Sequence, residues 1–203
     1  KEKSQENFVK YFEALIKIRH KNNSESIKIN WERAIDFLIS YEGSEIPFSK
    51  IDIKFCENFK TFLLNAPRGG NKNGKLSQNS ASTYFSVFKA ALKQAFIDGY
   101  FTTDIAAKIK GIPSEESRRE YLTIDELNTL VETPCENDVL KRAALFSALT
   151  GLRHSDIQKL KWNEISLDNN QPRINFTQKK TKGVEYMPIS QQSLELCEEP
   201  KSP

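Results

Sequence analysis

The sequence predicts a mainly α protein: an all-helical first unit, then a helical unit carrying a small antiparallel β-sheet. Three observations predict it. Apolar residues recur at helical spacing from residue 5 to residue 98. The run GIPSEESRRE (111–120) is polar, is broken by Gly111 and Pro113, and reads as an interdomain linker. Beyond Trp162 the period changes: PRINFTQ and VEYMPIS alternate as strands do, with KKTKG between them as a hairpin loop. The units so drawn are residues 1–110 and 121–203.

Each element has its own signal. In QENFVKYFEALIKIR (5–19), Phe8, Phe12, Leu15, Ile16 and Ile18 form an apolar stripe, and the polar HKNNSES after it reads as a loop. In IKINWERAIDFLIS (27–40) the stripe is Ile27, Trp31, Ile35 and Leu38, and Gly43 and Pro47 then break the pattern. Ile51 to Leu64 reads as a third helix with Asp52 as N-cap and Phe55, Phe59, Phe62 and Leu63 facing a core. APRGGNKNGK is a basic loop rich in turn residues. Ser77 to Asp98 is the longest helical pattern, with Tyr84, Phe85, Phe88, Leu92, Ala95 and Phe96 on one side and Gly99 placed to terminate it. A short helical segment, DIAAKIK, precedes the linker. After it, Thr123 and Glu126 have capping-box spacing. Residues 137–150 form an apolar-faced helix ended by Gly151, and Ser155 is expected to cap a further helix running through Ile157 and Leu160 to Trp162.

Composition narrows the function classes. At 38% hydrophobic and 28% charged residues, the 203-residue chain suits a soluble globular protein with a modest core. No run approaches the roughly 20 apolar residues of a membrane span, and KEKSQENF lacks the apolar core of a signal peptide. A cytoplasmic protein with no membrane partner is expected. Cys56, Cys135 and Cys197 are dispersed and make no C-x-x-C pair, so neither a disulfide framework nor a metal site is expected. Net charge is +3 and the pI about 8.6, a weak pointer to nucleic acid. Its distribution says more. Lys72, Lys75, Lys89, Lys93, Lys108 and Lys110 fall mid-chain, and Lys159, Lys161, Lys179, Lys180 and Lys182 fall late.

The most informative segment is ALTGLRHSDIQKLKW (148–162). With Gly151 ending one helix and Ser155 opening the next, Arg153 sits at a tight corner. The N–H groups and positive dipole end of the second helix would lie beside its guanidinium, a geometry suited to a phosphate. The plain alternative is a surface arginine that pairs with Asp156 or caps the preceding helix.

TGLRHSDIQKLKW resembles the T-G-x-R-x-S-E-[LI]-x-x-L-x-W box of the tyrosine recombinases. Arg153 stands in the place of the arginine that contacts the scissile phosphate. Asp156 takes the supporting acidic position, where Glu is commoner, and Leu160 and Trp162 match packing positions. The segment that follows is similar to the family's lysine hairpin. There Lys180, before Thr181, matches the catalytic lysine best, with Lys179 and Lys182 as near alternatives because a hairpin register is not fixed by sequence. The stretch LSQNSASTYFSVFKAALKQAFIDGYFTTDIA resembles the last long helix of the family's SAM-like core-binding bundle, with Thr103-Asp104 where Asn-Pro is common. YLTIDELNTLV resembles the opening of the catalytic domain. The resemblance covers nearly the whole chain, and the arginine box is its most specific part.

The resemblance implies binding to double-stranded DNA and a transesterification through a 3′-phosphotyrosyl link, with no metal or nucleotide cofactor. Arg153 would neutralise charge on the non-bridging oxygens, and Lys180 would protonate the 5′-oxygen leaving group. Ser82, Thr83, Lys89 and Lys93 on the long helix, with Arg68, Lys72 and Lys75 in the basic loop, are the DNA-contact candidates. The family's second arginine belongs to an H-x-x-R motif. Here His20 and His154 are followed three residues later by Asn23 and Ile157. The tyrosines, Tyr11, Tyr41, Tyr84, Tyr100, Tyr121 and Tyr186, all precede the place of the nucleophile, and packing is expected of Tyr186. The expectation is therefore a recombinase stretch that ends inside the catalytic domain, monomeric and unable to cut DNA, from a parent that is tetrameric on DNA.

Overall fold

The computed structural model describes residues 3–19, 25–68, 74–116, 120–178 and 183–197. The chain divides into two units, Lys1–Arg118 and Arg119–Pro203.

The first unit is a helical bundle built around its longest helix. Its helices are α1 (Phe8–Arg19), α2 (Glu25–Glu42), α3 (Ile53–Asn65), α4 (Gln78–Ile97) and the single turn α5 (Ile105–Lys108). Helix α4 packs on α2, α3 and α5 because its inward positions recur at three and four residues. Ala81, Phe85, Phe88, Ala91, Leu92 and Ala95 are all buried. Around them lie Phe8, Phe12, Phe48 and Phe59, with the Phe88 ring 4.9 Å from Phe59 and 5.9 Å from Phe8. Each such ring stabilises the fold by about 1.5–3 kcal/mol through burial. Asp52 accepts from the Phe55 N–H at 2.7 Å, as its N-cap position predicts. Gly99, at φ 79°, ends α4 in the left-handed region that glycine enters without steric cost. Two stripe residues differ from expectation. Ile18 and Ile27 lie near helix ends, beyond the reach of the core, and remain exposed.

The run read as a linker is, in its first part, fastened to α4. Residues 109–115 run back along that helix, and Ile109 and Ile112 are buried against the bundle. Side chains of α4 supply this strap with hydrogen bonds. Lys89 donates to the Ile109 carbonyl at 2.7 Å, Ser82 to Ile112 at 2.7 Å and Gln78 to Pro113 at 2.9 Å. The Lys60 ammonium, on α3, reaches the Lys110 carbonyl.

The second unit comprises α6 (Ile124–Glu132), α7 (Asp138–Thr150), the single turn α8 (His154–Ile157), strands β1 (Ile165–Asp168), β2 (Gln171–Thr177) and β3 (Val184–Pro188), and α9 (Gln191–Glu195). The strands form an antiparallel sheet in the order β1-β2-β3. Strand β1 is absent from the sequence reading. Its signal is the Asn169-Asn170 turn: both residues have positive φ, 49° and 64°, as a two-residue hairpin turn of the primed type requires. Pro172, Ile174 and Phe176 of β2 alternate inward, and Ile174 and Phe176 meet Phe146, Leu152 and Ile189 in a small core. Thr123 and Glu126 complete the capping box at the start of α6. That helix buries none of its residues within the described unit. Among the described residues no helix is long and apolar enough to cross a membrane.

Candidate nucleic-acid interface

The arginine corner is built by α7 ending abruptly. Gly151 adopts φ 69°, and its N–H donates to the Ser147 carbonyl at 2.8 Å. Three hydroxyl contacts then stiffen the turn. Thr150 donates to the Phe146 carbonyl at 2.6 Å and accepts from the Leu152 N–H at 3.3 Å, while Ser147 donates to the Leu152 carbonyl at 2.9 Å. Leu152 is buried, so the next residue is pushed outward.

Arg153 is that residue. It occupies the N-cap position of α8 in extended conformation, where Ser155 was expected, and Ser155 lies inside the turn. The helix that was expected to reach Trp162 is only 4 residues long. A single turn sums few peptide dipoles, so the expected help from a helix dipole is largely lost and the guanidinium carries the site.

Around the guanidinium, charge and polarity are arranged in two directions. Below it, Asp156 is 2% exposed, with its carboxylate 4.0 Å from Arg153 and 3.9 Å from Lys159. Beside it, Arg153 donates to the Gln178 side-chain oxygen at 3.2 Å, and Gln178 donates in turn to Glu185 at 2.9 Å. Lys159 also bonds the Thr177 carbonyl. Arg153 therefore does pair with Asp156, yet its side chain stays 53% exposed and can receive an anion.

The hairpin register is fixed by the structure. Thr177 faces Val184, and the Gln178 N–H donates to the Gly183 carbonyl at 2.8 Å. That pairing fixes the residues on either side of 179–182. Lys179, Lys180 and Lys182 lie outside the described residues, as does Lys72. Tyr186, expected to pack, is 71% exposed, because its position on β3 faces away from the small core.

The DNA-contact candidates of the first unit separate. Ser82 is 9% exposed and Lys89 is part-buried, and both are engaged with the strap. The Thr83 hydroxyl donates to the Asn79 carbonyl, leaving an exposed side chain. Lys93 is exposed. Arg68 is exposed beside the basic loop, and Lys75 reaches the Asn65 side chain at 3.0 Å. Gln178, Glu185 and Lys159 were not singled out as site residues from sequence. The nearest signal is that Gln178 directly precedes the lysine loop. Among the described residues no group of His, Cys, Asp and Glu is arranged to hold a metal.

The chain is thus a helical bundle followed by an α+β unit that sets an arginine corner against a hairpin, and each unit matches a family model. The family model for the phage integrase SAM-like domain matches residues 7–110, and that for the phage integrase family matches residues 120–201. The chain belongs to the phage integrase family of tyrosine recombinases. Prophage integrase IntR of Escherichia coli (strain K12) is 24% identical over 149 residues, which are 69% of this chain and 35% of that protein. The fold is similar to a lambda integrase dimer bound to a COC′ core site, with a TM-score of 0.74 at 21% identity over 97% of this chain and 55% of that one. It is also similar to a lambda integrase tetramer bound to a Holliday junction, with a TM-score of 0.70 at 23% identity over 91% of this chain and 51% of that one. The Tn1549 transposon integrase bound to circular intermediate DNA gives a TM-score of 0.66 at 14% identity, over 94% of this chain and 62% of that one. The chain spans about a third of the curated relative and about half of the lambda integrase chains.

Proposed function

We propose that this chain binds duplex DNA and places Arg153 on a backbone phosphate, as part of the site at which a tyrosine recombinase cuts and rejoins strands. The observation that carries this is the exposed guanidinium of Arg153, held on a rigid corner against the base of the lysine hairpin. A planar two-donor fork fits two phosphate oxygens and stabilises the charge that builds on them in the transition state. Asp156 supports the corner from below. Lys180, with Lys179 and Lys182 as alternatives in the same loop, protonates the 5′-oxygen leaving group.

Phosphates outside the site are met by Thr83 and Lys93 on α4 and by Arg68, Lys72 and Lys75 around the basic loop. Ser82 and Lys89 act on DNA indirectly, by holding the strap. In this reading residues 1–110 bind the core site, 111–120 link the units, with their first part fastened to α4, and 121–203 belong to the catalytic domain. The chain is read as cytoplasmic and nucleoid-associated, monomeric by itself and tetrameric on DNA in the full-length protein; the lambda integrase tetramer on a Holliday junction supports the last of these. The 203 residues hold no H-x-x-R motif. In this reading they bind DNA without cutting it.

The test is a mobility-shift titration of the 203-residue chain on duplex DNA across ionic strength, with Arg153→Ala beside it. Salt-sensitive binding that Arg153→Ala weakens is expected. Binding that is absent, or indifferent to salt, overturns the proposal. A covalent adduct with a nicked suicide duplex overturns the claim that this stretch does not cut.

A further inference from the structure

A primary amide has two unlike ends, and what it does depends on which way round it sits. The Gln178 oxygen accepts from Arg153 at 3.2 Å, and its NH2 group donates to Glu185 at 2.9 Å. A carboxylate can only accept. Glu185 therefore holds the amide with its oxygen toward the guanidinium and bars the reverse orientation. The backbone of Gln178 is itself fixed, because its N–H closes the last rung of the β2–β3 hairpin onto Gly183. The neighbouring Thr177 carbonyl is tied to Lys159, whose ammonium also faces Asp156. The strand end and the arginine corner are thus joined at two adjacent residues, by two different cations.

The chemistry of the partner matters. An exposed arginine samples many rotamers, and ordering it when an anion arrives costs binding energy. A partner that orders it beforehand removes that cost. A carboxylate at position 178 would order Arg153 as well, but would neutralise the charge that an incoming phosphate needs. A neutral amide oxygen orients the fork and leaves its charge available. Asp156 does not do this job alone, since its nearest oxygen is 4.0 Å from the guanidinium.

We propose that Gln178, oriented by Glu185, is a positioning residue that holds the Arg153 guanidinium at the end of the β2–β3 pairing, ready for a phosphate. This rests on the reading of Arg153 as a phosphate ligand. The rung that orients Arg153 also lies two residues before Lys180 in the sequence.

The experiment follows the Arg153 side-chain Nε–H signal by NMR in the full 203-residue chain, assigned by its disappearance in Arg153→Lys, during titration with inorganic phosphate. In the wild type the signal is expected to be resolved from those of solvated arginines and to shift as phosphate binds. Gln178→Ala should move it to the solvated position before any phosphate is added and weaken phosphate binding about fivefold. Gln178→Glu should keep the signal resolved and weaken phosphate binding further. Glu185→Ala should behave like Gln178→Ala, and Glu185→Gln, which still offers an acceptor to the Gln178 NH2 but no longer bars the reverse orientation, should recover the resolved signal in part. That rescue separates positioning from general damage to the hairpin, and it carries the test if Gln178→Ala disturbs the sheet amides. A wild-type signal and affinity in both Gln178→Ala and Glu185→Ala would overturn the positioning role while leaving Arg153 as a phosphate ligand. A wild-type Arg153 signal that ignores phosphate would overturn the phosphate reading itself, and the positioning role with it.

Discussion

Asn79 pairs its side-chain amide with both backbone groups of Glu115: its NH2 donates to the Glu115 carbonyl at 3.0 Å, and its oxygen accepts from the Glu115 N–H at 2.8 Å. One side chain thus acts as the neighbouring strand that residues 109–115 lack.

This relationship predicts that the strap is a stability element. Asn79→Ala removes two hydrogen bonds from the segment, and Ser82→Ala leaves the carbonyl of buried Ile112 without its donor. Each should lower the stability of the first unit by about 1–2 kcal/mol, read as a lower urea midpoint with an unchanged m-value.

Lys89 and Lys93 should part company for the same reason. Lys89→Ala breaks the bond to Ile109 and should act mainly on stability. Lys93→Ala should leave stability unchanged within about 0.5 kcal/mol and reduce the salt slope of DNA binding by about one unit. Parallel urea and salt titrations of the two variants check this, and equal salt slopes for both would contradict it.

The buried carboxylate under the arginine corner gives a third expectation. Asp156→Ala leaves Arg153 and Lys159 without their shared anion and opens a void beneath the turn. A loss of about 2 kcal/mol from the second unit is expected, with Asp156→Asn closer to wild type because it keeps the shape and an acceptor oxygen. Thermal unfolding of the two variants, followed in the second unit, distinguishes them.

The three thiols should react in order of access. Cys135 is exposed and Cys197 half-buried, and burial raises the Cys197 thiol above its ordinary pKa. Cys56 is buried in the first bundle, which pushes its thiol up to about 12. At pH 8 a thiol reagent should modify Cys135 within seconds to minutes, Cys197 more slowly, and Cys56 only on unfolding. A stopped-flow titration with a chromogenic disulfide gives the three amplitudes.

The capping box makes the start of α6 sensitive to acid. The Thr123 N–H and hydroxyl both bond the Glu126 carboxylate and hold its pKa below the ordinary value. A depressed folded pKa means that the folded state favours the charged form. The support is full above the unfolded pKa of about 4.3 and is lost as pH falls through the lower, folded value. Amide exchange at Thr123 and Glu126 should accelerate over that window, and Glu126→Gln should flatten the response.

Much of the first unit is legible in sequence because its physics is local. Stripes such as Phe85, Phe88 and Leu92 state both the element and its buried face, and Asp52 and Gly99 mark ends that the structure shares. The strap is not legible. Its bonds join Asn79 to Glu115 and Ser82 to Ile112, some thirty residues apart, so a polar run with Gly111 and Pro113 looks like solvent-facing linker. The arginine corner is half legible. Gly151 announces the turn, whereas the shortness of α8 depends on how Leu152 is buried. The orienting amide of Gln178 depends on a hairpin register that sequence leaves open.

The two cores differ in size, and that difference bears on how the protein is made. The first gathers an extensive set of buried aromatic and aliphatic residues before residue 113, whereas the second rests on Phe146, Leu152, Ile174, Phe176 and Ile189. A ribosome adds about 5–20 residues per second, so the second unit takes on the order of ten seconds to emerge. A helical bundle of local contacts closes in microseconds to milliseconds. The first bundle therefore closes while the second unit is still emerging. The weaker unit then folds beside a neighbour that is already closed and offers it no unpaired core to mispair with.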